Sequence, residues 1–175
     1  MRPPHAVRSA VRTITALAVI VTLATACGGS SSGTSLSDVP FTASDGQPTT
    51  LADFAGTPVV VNMWATWCQP CVREMPAFDE VANDLSAVRI IGVNIFDTPT
   101  EARAFAADLG VHYPQYTDPD GVLSTALKVS GYPATAFFSA DGTLLELHQG
   151  ELTADELRAL IARLYPEIDT KGTGS

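Results

Sequence analysis

Two hydrophobic periodicities alternate along the middle of the chain. Val59, Val60, Val61 and Met63 make a nearly continuous apolar run ending at Trp64, the pattern of a buried strand. A helix is predicted from about residue 70 to 85. There, Cys71, Met75, Phe78, Ala82 and Leu85 share one stripe at 100° per residue, with Arg73, Glu80, Asn83 and Asp84 on the other side. A second apolar strand follows at 88–94. Thr98-Pro99-Thr100-Glu101 then opens a helix that has Thr98 as its cap and runs to Leu109-Gly110. Downstream come a short strand at 112–116, a short helix at 123–129 and a strand at 134–139. Asp141-Gly142 turns that last strand into a partner at 144–149. Thr153 and Glu156 form a capping box for a final helix reaching Tyr165. Upstream, residues 39–42 and 49–51 flank Asp45-Gly46 as a small hairpin. The element order specifies an α/β fold with a central mixed sheet flanked by helices, and no internal repeat is visible.

The first residues have a different character. Arg2, Arg8 and Arg12 give a positive start without any acid, and residues 13–26 are apolar and small. That run is short for a membrane span and has the layout of a secretory signal. It ends Leu23-Ala24-Thr25-Ala26-Cys27, followed by Gly28-Gly29-Ser30-Ser31-Ser32-Gly33. Small residues before a cysteine and a flexible spacer after it resemble a bacterial lipoprotein signal, although Ala24 stands where Leu is usual. The resemblance implies that Cys27 is lipidated as the first mature residue. An ordinary cleavage at Ala24-Thr25-Ala26, leaving Cys27 a spare thiol, is the alternative. The expected organisation is a signal at 1–26, a lipidated tether at 27–37, one folded domain at 38–165 and a disordered tail at 166–175.

The formal net charge is −9 at pH 7, and losing the three leader arginines takes −9 to −12. Such an acidic surface argues against nucleic acid and against electrostatic attachment to membranes. A secretory leader places the domain outside the cytoplasm, where disulfides persist. With three cysteines in all and Cys27 used for lipid, one pair remains.

That pair is Cys68 and Cys71, in Trp67-Cys68-Gln69-Pro70-Cys71, directly after the first buried strand. A helix N-terminus carries partial positive charge and free N–H groups, so it favours a thiolate there. Two intervening residues allow the second sulfur to attack a disulfide made at the first. The placement points to reversible dithiol–disulfide chemistry. Zinc needs further ligands, and a structural bridge closing so short a loop gains little chain entropy. Glu74 lies about 60° from Cys71 around the helix, on the apolar arc, where burial would raise a carboxyl toward neutrality. A side chain turned to solvent, or paired with Arg73, is the bland alternative.

Residues 60–71, then Glu74-Met75-Pro76, Gly131-Tyr132-Pro133-Ala134-Thr135, Asp141-Gly142 and Gly150 resemble the thioredoxin superfamily, in its extracytoplasmic TlpA/ResA-type branch. The resemblance covers roughly residues 38–165. It implies a thioredoxin-like fold with an N-terminal hairpin and an inserted helical segment. Cys68 would be the exposed attacking cysteine and Cys71 the buried resolving one. Pro133 would be a cis-proline against the disulfide, with Trp67 and Tyr132 on a substrate-facing rim, whereas Trp64 would be core. Asn62 stands where ordinary thioredoxins carry a buried acid, and Glu74 where the branch carries an active-site Glu. Ala134, where many relatives have Thr, and the bulky Phe137-Phe138 bear on substrate fit.

The implied activity is protein thiol–disulfide exchange by a membrane-tethered oxidoreductase, with no cofactor or metal. Its substrates would be proteins with cysteines or disulfides, and a membrane redox partner would recharge the dithiol. Reduction is the favoured direction, for example of apocytochrome c cysteines. An oxidant that introduces disulfides into secreted proteins is the alternative. A copper chaperone of the same fold would want a wider cysteine spacing and a nearby His, whereas His112 and His148 lie outside the motif. A peroxidase would need a Thr- and Arg-activated cysteine in a different motif.

Overall fold

The computed structural model describes residues 35–168. The leader expected at 1–26, Cys27, the Gly/Ser spacer and the last seven residues of the chain lie outside the described residues.

The chain opens with a single 3-10 turn at Leu36–Asp38 and a two-strand hairpin, β1 (Phe41–Thr42) and β2 (Pro48–Thr49). Gly46 supplies the positive φ that the turn requires. Leu51, expected at the end of the second strand, instead begins a 3-10 turn, Leu51–Phe54, whose Thr50 and Asp53 form a capping box. The apolar run follows as β3 (Val59–Trp64), buried at all six positions. Then come α1 (Gln69–Asp84), β4 (Arg89–Ile95), α2 (Pro99–Leu109), β5 (Gln115–Asp118) and α3 (Val122–Ala126). The hairpin β6 (Ala134–Phe138) and β7 (Leu144–Gln149) and then α4 (Ala154–Leu164) complete the domain.

One seven-stranded sheet results, in the order β2-β1-β5-β4-β3-β6-β7. β3, β4 and β5 run parallel, and β6 and β7 continue antiparallel from β3. Because β3 and β4 are covered on both faces, they show no alternation of polar residues. One face buries Val59, Val61, Met63, Ile91, Val93 and Phe138, with Phe41, Leu51 and Leu123 laid over them. The other buries Val60, Ile90 and Phe137 beneath Phe78 and Val81 of α1 and Leu157 and Ile161 of α4. Each large apolar side chain so enclosed contributes about 1.5–3 kcal/mol. Phe137 and Phe138 are therefore core residues, one on each face of the sheet.

Local signals acted as the chain pattern indicated at the Thr98 cap and at the Thr153–Glu156 capping box. Thr98 Oγ1 accepts from Glu101 N and Thr153 Oγ1 from Glu156 N, each at 3.3 Å. Gly110 ends α2 in the left-handed conformation. Three expectations need correction. The strand expected at 112–116 begins at Gln115, because the N–H groups of His112 and Tyr113 both donate to Asp79 Oδ1 and are taken out of the ladder. Order starts before residue 38, since Leu36 packs against the core. It also continues past 165: Ile168 N donates to Tyr165 O at 2.9 Å, and Ile168 packs against the core cluster that includes Leu157 and Ile161.

Candidate active site

The parallel strands end where α1 begins, so the loop Ala65–Trp67 delivers the cysteines to the carboxyl end of the sheet. Cys68 and Cys71 form a disulfide, with Cα atoms 5.3 Å apart. Cys68 is the N-cap of α1, and its sulfur accepts from Cys71 N at 3.3 Å. Pro70 sits in the first turn, where its missing N–H costs nothing. The helix dipole and this N–H thus converge on the sulfur that would hold negative charge after disulfide opening. Cys71 is fully buried. Cys68 retains only 5% exposure, so in the disulfide form it is more covered than the expected exposed cysteine. Its cover is a cluster of Trp64, Ala65, Met75 and Tyr132.

The loop before Cys68 is held by one side chain. Asp97 accepts from Thr66 N at 2.7 Å, Thr66 Oγ1 at 2.8 Å and Asn94 Nδ2 at 2.8 Å. Trp64 is wholly buried, with its indole N–H on Gln115 Oε1 at 2.9 Å, whereas Trp67 is 59% exposed. Trp67 meets Tyr132 edge to face, with centroids 6.2 Å apart. The Tyr132–Pro133 peptide is cis, and Pro133 is buried at the start of β6. Pro76 lies within α1 on its exposed side.

Glu74 is buried, one turn after Cys71. It neither reaches solvent nor pairs with Arg73, which binds Glu151 at 2.6 Å instead. Glu74 Oε1 accepts from Asn62 Nδ2 at 2.6 Å, and Oε2 accepts from Leu152 N at 3.0 Å. Asn62 is itself oriented, because its Oδ1 accepts from the Tyr113 hydroxyl at 2.9 Å. With its oxygen occupied, the amide must present its NH2 group to the carboxyl. Desolvation raises the Glu74 carboxyl to about 7; the Leu152 and Asn62 donors oppose this, and the nearby charge of Glu151 adds to it. The helix thus carries a buried carboxyl one turn after Cys71, and Asn62 on β3 supplies a donor to it.

His112 lies apart, against Asp79 at 3.3 Å, and His148 is on β7. Among the described residues no group of three His, Cys, Asp or Glu could hold a metal ion, and no helix is long and apolar enough to cross a membrane. Sequence reasoning missed Asp97, Tyr113 and Phe96. Asp97 and Phe96 follow the last residue of β4, where no periodicity marks them. Tyr113 reaches Asn62 across 51 positions of sequence.

A family model described as AhpC/TSA family matches residues 33–146. The chain belongs to the AhpC/TSA family. The thiol-disulfide oxidoreductase ResA of Oceanobacillus iheyensis is 30% identical over 119 residues, covering 67% of this chain and 62% of that protein. The chain therefore spans less than two thirds of that relative. A secreted Mycobacterium tuberculosis disulfide oxidoreductase, described as homologous to E. coli DsbE, superposes with a TM-score of 0.65 at 27% identity. That match covers 73% of this chain and 96% of the other. The exposed lipoprotein thioredoxin Etrx1 of Streptococcus pneumoniae gives 0.60 at 27% identity, covering 71% and 97%. The thioredoxin-like α/β architecture expected from the resemblance is the one found. A fold hosts many reactions, so the paired cysteines and their surroundings carry the functional argument.

Proposed function

We propose that the protein is an extracytoplasmic thiol–disulfide oxidoreductase that exchanges the Cys68–Cys71 disulfide with protein cysteines. The observation that carries this reading is the disulfide itself, formed across two residues at the N-terminus of α1 with a backbone N–H on Cys68 Sγ. In the reductive direction the Cys68 thiolate attacks a substrate disulfide. One substrate sulfur leaves as a thiolate and a mixed disulfide forms at Cys68. Cys71 then attacks Cys68 Sγ, releasing the second substrate thiolate and restoring the bond between the two cysteines. Two electrons pass to the substrate. Glu74 accepts the Cys71 proton for this attack and returns it in the reverse direction, a role suited to a carboxyl titrating near 7. Tyr132, Pro133 and Trp67 form the surface against which the substrate backbone lies.

We assign the protein to the reductive direction, with apocytochrome c cysteines before haem attachment as the substrate class and a membrane redox partner as electron source. Relatives bearing the names ResA and DsbE support the redox chemistry. Potentials in this chemistry span about −270 to −120 mV, so direction is measurable. Equilibration of the full chain against a thiol buffer is expected to place the pair below about −200 mV. A value near that of a strong oxidant would reverse the assignment and make the protein a donor of disulfides.

The leader and Cys27 support tethering by lipid. Cys27→Ser is expected to move the protein from the membrane fraction to the soluble one. Mass spectrometry of the mature N-terminus checks it, and an unmodified Cys27 or cleavage elsewhere would end the lipoprotein reading.

A further inference from the structure

Trp67 and Phe96 are two of the four large hydrophobic side chains exposed among the described residues, at 59% and 54%. Both contact Tyr132. Phe96 meets the Tyr132 ring edge to face with centroids 6.3 Å apart, in the same manner as Trp67 at 6.2 Å. Three aromatic rings thus form one strip that begins at the residue before Cys68 and passes the residue before Pro133.

The outer ring is held there against two opposing effects. Phe96 has φ 70°, a left-handed backbone conformation that costs a bulky L-residue about 1–2 kcal/mol. Its apolar ring is also left largely in water. Core packing explains neither feature. The surroundings nevertheless fix the conformation. Asp97, the next residue, is tied to Thr66 in the cysteine loop. Phe96 N donates to Asp118 O at 3.4 Å. The ring lies over Gly121, where any Cβ would overlap its Cε1 and Cζ atoms. The absence of a side chain at 121 is what makes room for an aromatic ring at 96. Strain that is kept while an apolar group faces solvent points to a contact made by something else.

Building on the redox reading above, we propose that Phe96 is a specificity-determining residue, and that the preferred partner is a cysteine-bearing polypeptide with an aromatic or large aliphatic side chain near the reacting cysteine. Tyr132 packs against the cluster that holds both cysteines and Phe96 is the next ring beyond it, so a segment whose sulfur reaches Cys68 has Tyr132 and then Phe96 within its reach. The 6.3 Å from the Tyr132 ring to the Phe96 ring corresponds to about two residues of extended chain at ~3.3 Å each. A small thiol bound at Cys68 cannot reach the outer ring, so the occupant is a chain. The rings offer edges and faces, with the neighbouring carboxylate of Asp97 already engaged by Thr66 and Asn94, so the matching side chain is apolar.

The test uses the oxidised full chain and reduced synthetic peptides with two cysteines. One peptide thiolate opens the disulfide at Cys68 and releases the Cys71 thiolate. The second peptide thiolate then displaces Cys68, so the peptide leaves oxidised and the protein gains two electrons. Peptides differ only in carrying Trp or Gly three residues before or after the cysteine pair. The wild type is expected to favour a Trp peptide over its Gly counterpart by roughly five- to tenfold in the second-order rate constant of this single exchange, the span of an added aromatic contact. In Phe96→Ala the ratio falls toward one, and in Phe96→Leu most of it returns. A ratio near one in the wild type, or a ratio unchanged in Phe96→Ala, overturns the inference. Failure of wild type to oxidise dithiothreitol as well would instead remove the redox reading beneath it.

Discussion

Cys68→Ser is expected to abolish exchange, lowering the rate by a factor on the order of 10⁴ or more, because the group that forms the covalent intermediate is gone. Cys71→Ser behaves differently. Cys68 still attacks, but nothing inside the molecule resolves the mixed disulfide, so adducts with substrate thiols accumulate. The division follows from position. Cys68 caps α1, receives the Cys71 N–H and keeps the small exposed area of the pair, whereas Cys71 is closed off between Met75 and the core. A serine at 68 keeps the cap, since a hydroxyl accepts the same N–H, so the loss would be chemical and not a loss of fold. Turnover of a protein disulfide by each variant, with intact-mass measurement of the Cys71→Ser protein, checks both halves. Full activity in Cys68→Ser, or adducts on Cys71 in that variant, would exchange the two roles.

Near Cys68 most of the signal was local. A buried strand, a cysteine where the next helix starts and a proline in the first turn mark the strand-to-helix junction, whereas the loop between them is also held by Asp97, 31 positions on from Thr66. Capping was legible for the same reason: Thr98 with Glu101, and Thr153 with Glu156, satisfy their own backbone donors within four residues. The limits of order were less so. Leu36 and Ile168 are single apolar residues in polar stretches, and only the assembled core offers each a place to pack. The same holds for β5. Nothing local to His112 and Tyr113 reveals that Asp79, more than 30 residues earlier, takes both of their N–H groups.

The aromatic residues near the disulfide divide along the same line. Trp67 and Tyr132 could be placed because they adjoin Cys68 and Pro133 in sequence. Phe96 could not, since its position depends on a left-handed backbone and on a glycine 25 residues away. Helical arithmetic put Glu74 beside Cys71 but could not say what faced it. Its partners come from β3, from the loop between β7 and α4, and, through Asn62, from Tyr113.

Glu74→Gln is expected to flatten the pH dependence of stability and to shift that of exchange. Glu74 titrates near 7 in the folded protein against an ordinary value of 4.5. Between those values the native state holds a proton that the unfolded chain has released, so stability falls as pH rises. The neutral form's advantage is complete below about pH 4.5 and gone above about pH 7, a loss of roughly 3 kcal/mol by the linkage relation. Glutamine cannot ionise and loses this slope. Its amide leaves one of the donors from Asn62 and Leu152 mismatched, a constant cost that offsets the whole curve without tilting it. Urea unfolding of the disulfide form at pH 5 and pH 8 isolates the effect, because the cysteines do not titrate while bonded. The variant is expected to gain on wild type between those two pH values. In the reduced protein Glu74 and Cys71 then titrate as a coupled pair, since a charged carboxylate disfavours a thiolate one turn away. Removing the charge moves thiolate formation at Cys71 to lower pH, which alkylation rates across pH 5–9 would register. Parallel stability curves together with superimposable alkylation profiles would show that Glu74 only fills space beneath the cysteines.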